Sequence, residues 1–361
     1  MATTAQTKPK KIYLEILRCL AILLVIFNHT GDAGFIYYTT LEPGFKYYLF
    51  MACSVLTVMN IPIFYMISGA TLMHKDEPIG VVWKKRILRY ALVIVIFSFL
   101  QYLLAIQFDP HSFSISTFFK AVFSRDMIVP YWFLYEYLGF LIMVPIFRKL
   151  FRALSREDML YIVCIYLAFS SALPIIEYLA NGWHLMLNEK FDVTAISNDL
   201  VLYPMLGYFL SSEDIYTDRK QSKRIIAVMW ALSFACLAFT MITTDILIPE
   251  LFVAKEGWVG TFYKSLICIP TATVFITARW LFENRELPVA LNRIILSFSS
   301  CVFGTYLIEQ IVREHTWGLY FRMAAHMPNF VAVVLFVFAI ALICWPIVWC
   351  LKKIPGLKKL I

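Results

Sequence analysis

Residues 12–31 read IYLEILRCLAILLVIFNHTG. A helix needs about 20 mainly apolar residues to cross the hydrocarbon core of a bilayer, and this stretch has that length. Basic Lys8, Lys10 and Lys11 precede it and no small-x-small cleavage site follows. It therefore reads as a first transmembrane helix, not as a cleaved signal peptide. Its polar content sets it apart: Glu15, Arg18, Asn28 and His29, with Asp32 just beyond. A charge in hydrocarbon is costly enough that each such residue is a functional candidate. Arg18 and His29 are eleven residues apart, close to three helical turns, so they share one face about 16 Å apart along the axis. Taken singly, Arg18 is also readable as a snorkelling cation and His29 as a packed or interfacial histidine. Asp32, three residues past His29, can reach the ring to hold one tautomer and raise its basicity, or is an ordinary helix-end polar residue.

The rest of the chain agrees with this reading. Of 361 residues, 61% are hydrophobic and 16% charged, and the mean hydropathy is +0.73. Soluble domains carry about 25% charge, so a water-soluble globule and a disordered chain are both excluded. Ten segments qualify as spans: 12–31, 47–73, 84–107, 131–151, 158–180, 198–212, 224–248, 258–282, 292–313 and 329–351. The sixth is short. Residues 112–124 read as a short interfacial helix. The expected architecture is an all-α polytopic membrane protein, with a tail at 1–11, a membrane domain at 12–351 and a basic tail at 352–361. The eight cysteines lie in or at the ends of apolar runs with no CxxC spacing, so they read as small hydrophobes and no metal site is expected.

The formal charge is +8. With the N-terminus in the cytoplasm, 23 of the 32 Lys and Arg fall in cytoplasmic segments and seven in outer ones. That bias fits the positive-inside rule with both termini cytoplasmic. The basic residues are spread over six segments rather than gathered on one face, so nucleic acid is set aside as a partner.

Two further stretches carry chemistry. Asn60-Ile-Pro-Ile-Phe-Tyr-Met-Ile-Ser68-Gly69 precedes Trp83-Lys-Lys85-Arg86-Ile-Leu-Arg89. Arg86 and Arg89 (i, i+3), with Lys85 and Arg89 (i, i+4), stack cations on one helical face. The cluster suits the phosphates of a nucleotide-bearing cofactor, or is a topology anchor. Later comes Gly304-Thr-Tyr306-Leu-Ile-Glu309-Gln-Ile-Val-Arg313. Glu309 lies 16 residues past Arg293, and His29 lies 18 past Lys11. Their depths are similar, so Glu309 can approach His29 if the first and ninth spans are neighbours. A self-contained Glu309–Arg313 pair is the alternative. Glu136, Glu177, Asp199, Asp245 and Lys264 also lie in or near spans, and Tyr131, Trp132 and Tyr135 read as an aromatic belt.

These residues resemble the integral-membrane acyltransferase-3 family, bacterial-type proteins that acylate cell-surface sugars. The matches are Arg18 and His29 (Arg-x10-His), Pro62 to Gly69 (P-x-F-F-x-x-S-G), Arg86 and Arg89 (Arg-x-x-Arg), Trp132-Phe-Leu134 (W-F-L) and Gly304-Thr-Tyr306-Leu307 (G-x-Y-L). They occur in family order across nearly the whole chain. The resemblance implies transfer of an acyl group, usually acetyl, from cytoplasmic acyl-CoA to an acceptor hydroxyl or amine at the outer face of the bacterial plasma membrane. The acceptor class is a cell-envelope glycan or its lipid-linked precursor. It implies His29 as catalytic, assisted by Asp32 or Glu309, with acetyl-CoA held by Arg18, Arg86, Arg89, Lys85 and Ser68. Many members carry His where this chain has Glu309. Some members have a fused soluble domain, and the chain is also similar to the membrane half of the serine racemase of vancomycin resistance. A second reading is a small-molecule transporter, for L-serine for example. The short sixth span with Asp199, Pro204 and Gly207 gives it support. Outer segments 32–46, 181–197 and 314–328 would shape an acceptor entrance, with Tyr37, Tyr38 and Trp183 as candidates to stack on a sugar ring.

Overall fold

The computed structural model describes residues 11–180, 188, 193, 195–196, 198–212, 219–251 and 266–361. Lys8, Lys10, Trp183, Lys264, most of 181–197 and the first part of the eighth span lie outside the described residues. Every described element is helical: α1 Ile12–Asn28, α2 Phe45–Thr57, α3 Asn60–Leu72, α4 Ile79–Ala105, α5 Ile115–Ser124, α6 Trp132–Ala153, α7 Arg156–Glu177, α8 Asp199–Ser212, α9 Arg219–Leu251, α10 Cys268–Phe282, α11 Val289–Ala324, α12 Asn329–Leu351 and α13 Leu357–Leu360. Seven stretches among the described residues are long and apolar enough to cross a bilayer: Phe45–Leu72, Ile79–Ala105, Val129–Ala153, Arg156–Glu177, Lys220–Asp245, Val289–Ala324 and Asn329–Leu351. The chain is an all-α polytopic membrane protein. Its long helices turn apolar stripes outward at helical spacing, such as Leu92, Ile96 and Leu100 on α4 and Leu335, Phe338 and Leu342 on α12. Such stripes suit a lipid solvent.

The first span sits at the centre. α1 contacts α2, α3, α10, α11 and α12, and Tyr13, Leu17, Ala21, Ile22, Val25 and Ile26 on it are buried. The short helices α1, α3, α8 and α10 form an inner group, with α3 touching the other three.

Two expected boundaries differ. The span 47–73 is not one helix but breaks at Val58–Met59. Pro62 has no N–H to bond the carbonyl four residues back, and it disfavours helical backbone at the residue before it. The Val58 and Met59 amides tighten to the Val55 and Leu56 carbonyls. A proline is tolerated in the first turn that follows. The ninth span does not end near 313, because α11 stays helical to Ala324, so most of the supposed outer segment 314–328 is helix. The interfacial helix is present as α5, opened by Ser114, whose hydroxyl accepts from the Thr117 amide.

Inner helices approach through their small residues. A Cβ placed on Gly69 would overlap the Pro204 carbonyl of α8, and one on Gly207 would overlap the Met66 carbonyl of α3. Close backbone approach at small residues is how helices associate where lipid removes the hydrophobic drive. Gly69→Ala and Gly207→Ala should therefore each cost about 1–3 kcal/mol of stability, read as a lower unfolding temperature in nanodiscs. At Gly139 an added Cβ would meet nothing within 4 Å, so this position should accept alanine without loss. Equal behaviour of the three variants would refute this packing.

Candidate active site

α1 ends at Asn28, leaving His29 as its capping residue. Its Nδ1 lies 2.6 Å from Glu309 Oε1 on α11. Glu309 has no exposed surface, whereas His29 keeps 19% of its side chain accessible. The other carboxyl oxygen, Oε2, lies 3.5 Å from Arg313 Nε, one turn further along α11. Both contacts open to Glu309 from sequence are thus made together. A carboxylate at Nδ1 makes that nitrogen the donor, which leaves the Nε2 lone pair free to take a proton.

Asp32 is not brought to His29. The chain turns at Gly31, whose φ of +51° lies in the left-handed region, into a 3₁₀ turn over Gly31–Ala33. Asp32 is exposed there, and no hydrogen bond or ion pair joins it to His29 among the described residues.

Arg18 points toward the other end of α1. Its Nη1 donates to Glu15 Oε1 at 2.6 Å, and Glu15 also accepts from the Ser299 hydroxyl of α11. α1 is therefore tied to α11 at both ends, by Glu15–Ser299 and by His29–Glu309.

The basic segment of α4 departs from its expected face. Residues Trp83–Ile87 form a π turn, which widens the helix and breaks the i, i+3 register between Arg86 and Arg89. Arg86 turns inward and grips Glu77 with Nε at 3.0 Å from Oε2 and Nη2 at 2.7 Å from Oε1. Arg89 is exposed and donates to the Leu360 carbonyl at 3.1 and 3.2 Å, and Lys85 is exposed.

Sequence reading treats Arg148 only as an orientation cation and passes over Glu77. In the fold, Arg148 is 5% exposed, its Nη2 lies 2.7 Å from Glu77 Oε2, and its Nε lies 2.9 Å from the Leu72 carbonyl. The only hint was an acidic pair, Asp76-Glu77, within a basic loop. Two guanidinium groups hold the Glu77 carboxyl down to about 2 from 4.5, with the Arg86 hydrogen bonds the largest cause. The Lys75 amine beside them is pushed below its ordinary value by burial, then by Arg86, with Arg148 and Arg18 also within reach. Arg86 and Arg148 are thus gathered on Glu77, and the field at Lys75, two residues before it, is dominated by cations that include Arg18.

Aromatic rings connect that cluster to the His29 end. Ser68 Oγ meets the Tyr137 hydroxyl at 2.9 Å, and Tyr137 lies in the field of Arg18 and Arg86. Ring centroids then step from Tyr137 to Phe133 (5.5 Å) and from Phe133 to Tyr306 (5.7 Å). Tyr306 is one turn before Glu309. The belt residues and the late Gly-Thr-Tyr-Leu segment interlock: Tyr131 donates to the Leu307 carbonyl at 2.8 Å, and Tyr306 donates to the Pro130 carbonyl.

A family model described as an acyltransferase domain, Acyl_transf_3, matches residues 11–349. The chain belongs to the acyltransferase-3 family. Comparison with curated proteins and with solved structures gives no match. This membrane acyltransferase brings together, across separate spans, residues that the family pattern scatters along the sequence. His29 meets Glu309, Ser68 meets the helix that the Trp-Phe-Leu segment opens, and Arg18 and Arg86 both act on the charge of Lys75.

The Glu77 hub gives a pH signature. The unfolded chain protonates Glu77 near 4.5 and the folded one not until about 2. The stability from ionised Glu77 is therefore complete above about pH 5 and is lost as pH falls through that window. Glu77→Gln should lower the unfolding temperature at pH 6, and the gap to the unsubstituted protein should shrink toward pH 3. A gap independent of pH would contradict this role.

Proposed function

We propose that this acyltransferase moves an acetyl group from cytoplasmic acetyl-CoA to a hydroxyl of a cell-envelope glycan, or of its lipid-linked precursor, at the outer face of a bacterial plasma membrane. The contact between His29 Nδ1 and the fully buried Glu309 carries the reading. It fixes one tautomer and leaves Nε2 as the base, as general base catalysis requires. His29 would take the acceptor proton as the acceptor oxygen adds to the thioester carbonyl. Collapse of the tetrahedral species would release CoA, with His29 returning the proton to the departing sulfur. Arg313 beside Glu309 limits the cost of charge near the reacting groups.

The donor's phosphates need cations, and Arg18, Arg86, Arg89 and Lys85 are the candidates, with Lys75 and Arg148 adding to the field. Arg18 and Arg86 are held by Glu15 and Glu77. Their planar forks are therefore already oriented, which reduces the entropy lost on binding phosphate. Arg89 and Lys85 are the exposed members of the set. The face of α1 between Arg18 and His29 is the expected course of the pantetheine arm, with Ser68 beside it.

Acetyl transfer measured in nanodiscs tests this. His29→Ala should lower kcat about 10²–10⁴-fold and leave acetyl-CoA binding nearly unchanged, with Glu309→Gln losing less. Arg89→Ala should weaken acetyl-CoA binding roughly tenfold, the value of one charge-assisted contact. Full transfer by folded His29→Ala protein refutes the assignment. Uptake of radiolabelled L-serine by proteoliposomes, without thioester turnover, would establish a transporter instead.

A further inference from the structure

The basic segment 352–361 does not trail away from the bundle. After α12 it turns at Gly356, whose φ of +97° favours glycine, into the single helical turn α13. That turn puts Leu357, Leu360 and Ile361 on one side, at i, i+3 and i+4. Ile361 is buried, and Leu357 and Leu360 pack against the main core. The Ile361 amide donates to the Leu357 carbonyl, and the Lys358 amide to the Ile354 carbonyl. α13 contacts α4, where Arg89 Nε and Nη2 donate to the Leu360 carbonyl at 3.2 and 3.1 Å. Lys358 and Lys359, between the packed residues, are exposed.

The three candidate arginines for the donor's phosphates are therefore held in two different ways. Arg18 and Arg86 each carry a carboxylate, Glu15 and Glu77, which offsets their charge. Arg89 is held by an uncharged carbonyl, and among the described residues no carboxylate pairs with it. A carbonyl orients a guanidinium without neutralising it, and the remaining N–H donors of the fork stay free for an anion. The charge of the segment agrees. It holds four lysines and no Asp or Glu. Lys352 is engaged with the Ser300 carbonyl at 2.8 Å, and Lys353 lies 3.3 Å over the Trp349 ring, which leaves Lys358 and Lys359 beside the Arg89 contact. A segment that covered the site by imitating phosphate would carry acids, whereas a basic one draws an anionic donor in.

We propose that segment 352–361 completes the donor site: the Leu360 carbonyl positions Arg89, and Lys358 and Lys359 join it in binding the phosphates of a CoA thioester. This rests on the acyl-transfer reading above and deepens its account of the donor. Leu357, Leu360 and Ile361 are positioning residues, because they dock the turn and act only through Arg89. Lys358 and Lys359 supply charge, in a place where Arg89 alone among the three arginines keeps its own charge uncompensated.

Two measurements on the full chain in nanodiscs test this, with acetyl-CoA as the probe and no turnover needed. In calorimetry, the undocking pair Leu357→Ser with Ile361→Ser should weaken acetyl-CoA binding roughly five- to tenfold, the effect of one charge-assisted contact. It should add no further loss in Arg89→Ala protein. The pair Lys358→Gln with Lys359→Gln touches no packed side chain, so it folds as the parent does. It should weaken binding by a similar factor and flatten its dependence on salt. In hydrogen exchange, acetyl-CoA should slow the amides of 357–361. Unchanged or tighter binding by either pair overturns the proposal, as does a further loss from undocking in Arg89→Ala protein. Unchanged exchange at 357–361 overturns it too, and faster exchange would mark the segment as a cover that the donor displaces. Acetyl-CoA binding that Arg89→Ala weakens but both pairs leave intact would sink this completed site alone. Acetyl-CoA binding that Arg89→Ala leaves unchanged would sink the donor assignment above, and no saturable binding would sink the acyl-transfer reading with it.

Discussion

Glu309 has no exposed surface, and a carboxyl group inside a bilayer has only the chain itself to satisfy it. Its oxygens lie against His29 at 2.6 Å and Arg313 at 3.5 Å. Much of the helix arrangement follows from meeting that demand. α1 has to stop at the level of Glu309, and it does, with His29 as its cap. α11 has to lie alongside α1, and the Glu15–Ser299 contact holds the pair at the other end. α11 is in turn strapped to the start of α6 by Tyr131 and Tyr306. It also meets α12 where Gly304 leaves no room for a Cβ beside Val348. One buried acid thus joins α1 to α11, Tyr131, Tyr306 and Gly304 carry that pairing on to α6 and α12, and the histidine that balances the acid is the residue with the free basic nitrogen.

The opposite end of the bundle obeys the reverse constraint, too many cations for the carboxylates present. Glu77 takes two guanidinium groups at once, and Glu15 takes a third. Lys75 has its charge disfavoured by burial and by the arginines around it. A cluster whose members repel one another gains when an anion enters it. The π turn in α4 serves the same arrangement: it turns Arg86 inward to Glu77 and leaves Arg89 outside.

The sequence made some of this legible and hid the rest for identifiable reasons. Depth showed that His29 and Glu309 can meet if the first and ninth spans are neighbours, because straight helices in a slab convert residue count into height; the contact of α1 with α11 supplies that condition. The sixth span was rightly short, and α8 has 14 residues. Depth says nothing about azimuth, however. Arg86 and Arg89 share one face only in α-helical register, and the π turn over Trp83–Ile87 has no signature in the residues themselves. Asp32 was a local guess at the histidine's partner, and Gly31 turned it away. Arg148 and Glu77 are 71 residues apart in sequence, and no local pattern links them. The break between α2 and α3 was readable at Pro62, but the apolar run across it was the louder signal.

The lengths of the inner helices bear directly on function. α1 has 17 residues, α3 13, α8 14 and α10 15, which makes each about 20–25 Å long. A bilayer core is about 30 Å thick. Each of these helices alone is shorter than that, and α1 carries Arg18 toward one end and His29 at the other. On the proposed reading, donor and acceptor arrive from opposite sides and have to meet at one atom. On that reading a short α1 keeps the two ends close, and the longer α11 and α12 pack against it. The same geometry accounts for the close α3–α8 crossing at Gly69 and Gly207: a short helix has few turns over which to gain contact, so it must gain it at each one by backbone approach. On the proposed reading, the short inner helices shorten the path between the cation cluster and the base at the His29 end, and the ring contacts from Tyr137 to Tyr306 line that path with side chains that need no water.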